Sequence, residues 1–428
     1  MSLRDEVTRL LQELIRIDTV NPPGKETRAA ELLRGYLEEN GVECELYARE
    51  PERANLVARI PGGNGPRLAL ISHTDTVLAD PAEWDRDPWG GELVDGEVWG
   101  RGALDMKGEA AASAVAVASL AREGFRPAGD LIFVAAADEE DNTANAGMQW
   151  LVRAHPEAVR CEYALNEGAG ERLELGGRAF WLCSTAEKMS APFRLHVRGR
   201  SGHASQPGTA DNALLKAAVL VERLGEYRPE PRHGPETEAL LQAIVGEVPP
   251  AAVAVDRARA VAPVVAALVE PLLSLTLSPT MIDASQKRNV IPARCEVTVD
   301  CRLLPGQTPA EAEELVRGIL GANGDYEYEL IEAQGGTRSP IGTPLWDAIA
   351  SFVERIEPGA AAVPICCAGF TDSHWLRDAF GTVAYGFCPA RMDPELSARL
   401  IHSANERVPV DDLELGVDFF RHAAQALA

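Results

Sequence analysis

The sequence predicts an α/β protein of two domains, one inserted into the other, and three observations predict it. The chain has 428 residues, more than a single hydrophobic core ordinarily serves. Its first half alternates helix and strand periodicities around a continuous apolar run, Leu131–Ala137, as a strand covered on both faces requires. Its middle changes to the order β-α-β-β-α-β, the ferredoxin-like pattern. The larger domain then reads as a sheet covered by helices, in 1–186 and 334–428, with a small α+β domain at 187–333 between.

Leu3–Ile15 has helical periodicity, and Asn21-Pro22-Pro23-Gly24 is a turn. Thr27–Asn40 is a second helix, closed by Asn40-Gly41. Asn55–Ile60 and Arg67–Ser72 read as strands separated by the glycine-rich turn Pro61–Pro66. Lys107–Arg122 is small and apolar at helical spacing, and Leu131–Ala137 is the buried strand. In the middle, Phe193–Arg198 alternates as a half-buried strand and Asn212–Leu224 as a helix. Leu273–Leu277 and Glu296–Leu303 are expected strands, Pro309–Leu320 a helix and Tyr326–Ile331 the last strand. The segment Tyr227–Pro271 is a proline- and alanine-rich helical excursion, and Val410–Leu427 is the final helix.

Composition narrows the function classes. The chain is 46% hydrophobic and 25% charged, which is ordinary for a globular protein. A formal charge of −24 argues against nucleic acid, whose phosphates need clustered Lys and Arg. It argues equally against an anionic membrane surface. A solvated acidic surface accounts for most of that charge. The first residues lack an apolar signal core, and the longest apolar run, Ala260–Leu277, is broken by Pro263, Glu270 and Pro271. The eight cysteines contain no CxxC pair, so free thiols in a reducing cytoplasm are expected, with Cys366 and Cys367 packed in a core.

Chemistry is concentrated where strands end. The strand Arg67–Ser72 runs into His73-Thr74-Asp75. On an extended chain, residues two apart point the same way, so one can ligate a metal while the other orients it. Alone the pair is weak evidence, since a local hydrogen bond explains it as well. Asp105, within Gly102–Gly108, opens a helix and can either bridge two cations or serve as an N-cap. Asp138-Glu139-Glu140-Asp141 closes the buried strand. Adjacent acids there repel one another and resist desolvation; a solvated turn tolerates this, and a metal turns it into attraction. Glu167, in Asn166-Glu167-Gly168, repeats the pattern of apolar strand, acid and glycine, and His402 follows the apolar pair Leu400-Ile401. Together these supply two His and three carboxylates as ligands, a mixed N/O set suited to zinc, cobalt or manganese.

At this point the sequence resembles the di-zinc M20 family of peptidases and amidohydrolases, which includes aminoacylase, glutamate carboxypeptidase and succinyl-diaminopimelate desuccinylase. The motifs occur in order along nearly the whole chain. They are Ile17–Gly24, His73–Val77, Gly102–Gly108, Glu139-Glu140, Asn166-Glu167-Gly168, Gly202-His203-Ala204-Ser205, Asn289-Val290-Ile291-Pro292, Thr371-Asp372-Ser373 and His402. The resemblance implies a zinc-peptidase-like catalytic domain, with the inserted domain serving as lid and dimerisation module. It implies that Asp105 bridges two metal ions and precedes a cis peptide, that His73 and Glu167 complete one site, and that Glu140 and His402 complete the other. Asp75 would orient His73, and Glu139 would act as the general base. His203 would reach a neighbouring subunit's site in a homodimer and help hold an oxyanion, with Asn289 near the same end of the substrate. Arg302 is a candidate carboxylate clamp, with Arg288 behind it; Thr371 and His374 are further candidate substrate contacts. The implied reaction is hydrolysis of an amide next to a carboxylate, in an N-acyl amino acid or at a peptide's C-terminus. N-succinyl diamino acids are the alternative substrates, and a non-catalytic metal-dependent binding protein is the rival class.

The chain departs from the family in one motif. Carboxypeptidase relatives read Gly-Gly-Thr-Asp-Ser-Arg where this chain reads Gly369-Phe370-Thr371-Asp372-Ser373-His374. Phe370 adds apolar bulk and His374 replaces a cation. Elsewhere, His155, His233 and His422 read as surface residues, His196 as structural, and Trp84, Trp89 and Trp99 as packing.

Overall fold

The computed structural model describes residues 2–285, 287–321 and 325–427. These divide into two compact units. The larger runs to Thr185 and takes in Ser339–Ile365 and the chain from Thr371 onward; the smaller comprises Ala186–Arg338 and Cys366–Phe370. The expected insertion at 187–333 lies within the smaller unit, which also claims 334–338 and the short return 366–370. That return is remote in sequence from its unit, so no local periodicity marks it.

The larger unit is built on a mixed sheet. Its order is Glu43–Ala48, Ala54–Ile60, Leu131–Ala136, Leu68–His73, Tyr163–Asn166, Val383–Gly386, Arg178–Glu187 and Ala361–Cys367. Leu68–His73 lies parallel to both its neighbours, so three strands deliver their C-terminal ends to one edge. Every residue of Leu68–His73 and Leu131–Ala136 is buried, as their unbroken apolar runs require. Alternate residues feed two cores. Leu68, Leu70, Leu131 and Phe133 join one with Trp181, Phe387 and Phe419, whereas Ala69, Ile71, Ile132 and Val134 join the other with Met148, Leu151 and Leu376.

The helix Lys107–Arg122 is buried from Lys107 through Leu120. It packs against Leu3–Ile15 on one side and Val410–Ala426 on another, and its alanines permit this all-round enclosure. The strand Glu43–Ala48 was not expected from the sequence; it is a short edge strand whose alternation, Cys44 and Leu46 turned to the core between exposed Glu43 and Glu45, is only two apolar residues deep.

In the smaller unit, Phe193–Arg198 pairs antiparallel with Tyr326–Leu330 and with Arg294–Leu303, and the last pairs with Thr276–Asp283. Counted along the chain, the order is fourth-first-third-second, the ferredoxin-like arrangement. Ala213–Glu226 and Pro309–Leu320 are its helices, the second opened by a Thr308/Glu311 capping box. The second strand is displaced from the expected Leu273–Leu277. Leu273 and Leu275 are buried beside a 3₁₀ turn at Glu270–Leu272, and the strand is instead the largely exposed Thr276–Asp283. Burial rather than strand pairing explains that apolar run. The excursion folds as three helices, Pro235–Ile244, Ala251–Val261 and Pro263–Val269.

Phe133 is fully buried at the centre of the larger sheet. Phe133→Ala is expected to destabilise this unit by about 3–5 kcal/mol, whereas Val253→Ala, on an exposed helical face, should change stability by less than about 0.5 kcal/mol. Denaturant unfolding of both variants checks the contrast; equal effects would contradict the packing described.

Candidate metal centre

The shared edge of the parallel strands gathers the acids and histidines. His73 is the last residue of its strand and is buried. Its Nδ1 lies 3.1 Å from the Asp75 carbonyl oxygen and 3.5 Å from Asp75 Oδ1. An imidazole that donates from Nδ1 presents the lone pair of Nε2. Here Nε2 faces Asp105 Oδ1 at 3.2 Å, Glu167 Oε1 at 3.7 Å and Glu139 Oε2 at 4.0 Å.

Asp105 is not a helix cap. The cap position is Met106, and no side chain caps the helix there. The two carboxylate oxygens of Asp105 instead diverge: Oδ1 faces His73, and Oδ2 lies 3.0 Å from His402 Nε2. His402 Nε2 is also 3.1 Å from Glu140 Oε2. The peptide bond after Asp105 is cis. Ligand atoms of His73, Asp105 and Glu167 lie within 4.8 Å of one another, as do those of Asp105, Glu140 and His402. Asp105 belongs to both groups.

Asp75 does more than face His73. Its carboxylate accepts the backbone N–H of Glu139 at 3.2 Å, that of Glu140 at 3.0 Å and the side-chain amide of Asn21 at 2.9 Å. The turn bearing the two glutamates is thereby fixed to the residue that orients His73. The first acid of that turn, Asp138, is buried and left-handed (φ 60°). It accepts from Asn21 (3.1 Å), Arg53 (3.2 Å) and the Ala146 N–H (3.0 Å). Arg53 also forks onto Glu26, with its closest contact at 2.6 Å, placing a buried cation behind the acids.

Gly386 lets this edge close up. A Cβ there would stand 2.1 Å from the Glu167 carbonyl oxygen, so the strand bearing Gly386 approaches Glu167 only without a side chain.

The electrostatics follow from burial and crowding. Burial, reinforced by repulsion from Asp105, pushes the Glu167 carboxyl up to about 7. Glu139 is raised well above the ordinary carboxyl range by burial and by Glu167, and Glu140 is raised by burial, with the His402 hydrogen bond opposing. Burial also opposes ionisation of Asp105, but hydrogen bonds from His402 and His73 outweigh it and hold Asp105 low. Hydrogen bonds to Asp105 and Glu140 lift His402 to about 10. Among the described residues, Glu140 Oε1 and Asp372 Oδ2 are buried without a hydrogen-bond partner. Unpaired carboxylate oxygens beside convergent imidazoles suit divalent cations, and the His/carboxylate donor set fits them.

The remaining candidates are divided between the two units. Thr371 is buried, and its carbonyl oxygen accepts from His374 Nδ1 at 2.7 Å. Burial pushes the His374 imidazolium down to about 4, so at neutral pH this residue is not a cation. His203, Arg288, Asn289 and Arg302 belong to the smaller unit. His203 is exposed, pairs with Val290 across a short two-stranded sheet, and has Ser205 Oγ 2.7 Å from its Nδ1. The Asn289 carbonyl accepts the Ala204 N–H at 3.1 Å, which brings Asn289 beside His203. Arg288 is exposed, while the Arg302 guanidinium is engaged by Asp300 at 3.0 Å. Of the histidines expected at the surface, His155 packs on Tyr47 and Trp150, His233 meets the Pro249 carbonyl at 2.7 Å, and His422 meets Ser351 Oγ at 2.9 Å. His196 sits 2.6 Å from Glu329.

Sequence reasoning passed over Asn21, Arg53, Glu26, Arg101 and Glu406. Asn21 lies within the motif Ile17–Gly24 and Glu406 four residues beyond His402, so a polar residue in or next to a motif is the signal that could have found them. Glu26 and Arg53 stand 27 residues apart and carry no such signal.

A family model for Peptidase family M20/M25/M40 matches residues 69–426. The succinyl-diaminopimelate desuccinylase of Rhodospirillum centenum is 29% identical over 419 residues, covering 94% of this chain and 92% of that one. Among solved structures, an M20 family metallo-carboxypeptidase from Sulfolobus solfataricus superposes with a TM-score of 0.76 at 18% identity over 99% of both chains. A dinuclear metal-binding M20 peptidase from Bacillus subtilis superposes at 0.60 and 13% identity, covering 99% of this chain and 97% of that one. With its family model matched over residues 69–426, most of its length, the chain belongs to Peptidase family M20/M25/M40 and is a hydrolase.

Proposed function

We propose that this hydrolase holds two divalent ions, zinc first among them with cobalt or manganese as alternatives, and cleaves an amide bond next to a carboxylate. The substrate would be an N-acyl amino acid or the C-terminal peptide bond of a peptide. One observation carries the reading: Asp105 turns its two oxygens to two different histidines, 3.2 and 3.0 Å away, and each histidine has a further glutamate beside it. His73 and Glu167 would hold one ion, Glu140 and His402 the other, with Asp105 between them. When bound, such ions lower the pKa of water and polarise a carbonyl.

The chain's own residues supply the rest. Glu139, whose carboxylate comes within 4.0 Å of His73 Nε2, takes the proton from the attacking water and delivers it to the leaving amine nitrogen. Asp75 keeps His73 and the Glu139–Glu140 turn in register through contacts of 3.0–3.5 Å. His203, with Asn289, is assigned the developing oxyanion, reached from the neighbouring subunit of a homodimer. Because Asp300 already engages Arg302, Arg288 stands ahead of it as carboxylate contact. Thr371 and His374 are assigned to the substrate wall, His374 as a neutral group.

A second reading is favoured by a specific finding: the desuccinylase of Rhodospirillum centenum is similar over 94% of this chain. An N-succinyl diamino acid is an amide flanked by carboxylates, so the same residues would perform the same hydrolysis.

Three outcomes are expected. Zinc-loaded protein should release free amine from one class in a panel of N-acyl amino acids, dipeptides and an N-succinyl diamino acid; turnover of none would sink the substrate assignment. Glu139→Ala should keep its metal content while kcat falls by about 10²–10⁴-fold, and a variant that stays active would remove Glu139 from the base role. Metal uptake should release protons. Glu167 holds its proton up to about pH 7 and His402 up to about pH 10 in the metal-free protein, and each must lose it to ligate. Zinc affinity should therefore rise from pH 6 to pH 8, as calorimetry in buffers of differing ionisation enthalpy reads directly; affinity independent of pH would contradict it.

A further inference from the structure

We propose that Glu406 is a positioning residue that sets the affinity of the metal site formed by Asp105, Glu140 and His402, by latching the loop of His402 to the loop of Asp105. The inference rests on the dinuclear reading above and concerns which residues make the second site bind.

The two candidate sites are held in different ways. His73 ends a buried strand and Glu167 directly follows another, so the sheet fixes both. His402 has no such support. Its side chain is 51% exposed and its backbone is left-handed (φ 60°), in the loop between the helix Pro394–Leu400 and the strand Arg407–Pro409. Something other than the sheet must place its ring 3.0 Å from Asp105.

Glu406 has the contacts to do so. It lies four residues beyond His402, is fully buried, and reaches back to the segment that carries Asp105. One oxygen accepts the N–H groups of Leu104 at 2.7 Å and Asp105 at 3.0 Å. The other accepts Arg101 Nη1 at 2.6 Å and the Gly102 N–H at 3.1 Å. Four donors converge on one carboxylate, two on each oxygen, and charge-assisted bonds of this kind are the strong ones. The Glu406 carbonyl oxygen also accepts the Gly100 N–H at 3.0 Å. Arg101 is itself fixed, being buried, bonded to the Leu78 carbonyl at 3.1 Å and stacked over Trp84. Asn405 adds a second tie through the Asp85 N–H at 2.8 Å.

The latch is therefore asymmetric in effect. Two of the three ligands of the second site, Asp105 and His402, hang on it, but only Asp105 of the first. Loosening it should weaken one ion selectively. A buried carboxylate with four donors also tolerates no isostere: in Glu406→Gln an amide NH₂ must face N–H donors at one oxygen position.

The test is equilibrium dialysis of the full-length protein against graded free zinc, with metal content read by elemental analysis. Wild type should take up two ions per chain. Glu406→Gln should keep the first at wild-type affinity and bind the second about 10–100-fold more weakly. Circular dichroism checks that the variant folds. Should it not fold, Arg101→Met, which leaves the three amide bonds to Glu406 in place, should weaken the second ion about tenfold by the same mechanism. Both ions bound as in wild type, or both weakened in parallel, would overturn the proposal. A wild type that takes up a single ion would instead overturn the dinuclear reading on which it rests.

Discussion

Charge crowding at one edge of a buried sheet governs this molecule. Asp75, Asp105, Glu139, Glu140, Glu167 and Asp372 converge where solvent is largely shut out, and each would rather stay hydrated than sit beside the others. The chain offsets part of this itself. Arg53 sits behind Glu26 and Asp138, His73 and His402 face Asp105, and backbone N–H groups point at Asp75 and Glu406. Some of it remains uncompensated: Glu140 Oε1 is buried without a hydrogen-bond partner. The strand directions matter because they bring the three acid-bearing ends to the same place; a single antiparallel reversal among Leu68–His73, Leu131–Ala136 and Tyr163–Asn166 would send one set of ligands to the opposite edge.

Much of this was legible in the residues alone. Buried strands announce themselves as unbroken apolar runs, and an acid immediately after such a run is costly enough to signal a purpose. His73, Glu139, Glu140 and Glu167 are marked this way in the sequence, none decisive alone, and their roles came from the ordered motifs of the family resemblance. Asp105 reads as cap or bridge from sequence; the structure puts Met106 at the cap position and turns the two Asp105 oxygens to His73 and His402. The less visible residues are those whose partners are distant in sequence. Glu26 and Arg53 look like surface charges until the fold buries them against Asp138. Leu273–Leu277 misled for the complementary reason, since packing beneath a 3₁₀ turn leaves the same apolar signature as a strand.

The departure at Phe370 and His374 gains meaning from burial. In the smaller unit, Phe370 Cβ crowds Gly335, where an added Cβ would come within 2.6 Å. In the larger unit, His374 donates to its own turn and stays uncharged at neutral pH. As a neutral ring, His374 offers no positive charge to its surroundings.

The enclosure of Lys107–Arg122 between the first and last helices bears on the order in which the protein can be made. A chain leaving the ribosome presents Leu3–Ile15 early, but the opposite flank of the central helix stays uncovered until Val410–Ala426 has been synthesised. His402 and Glu406 arrive only just before it. The core of the larger unit thus stays open along one flank until Val410–Ala426 is present, so residues some three hundred positions apart must meet before the central helix is enclosed.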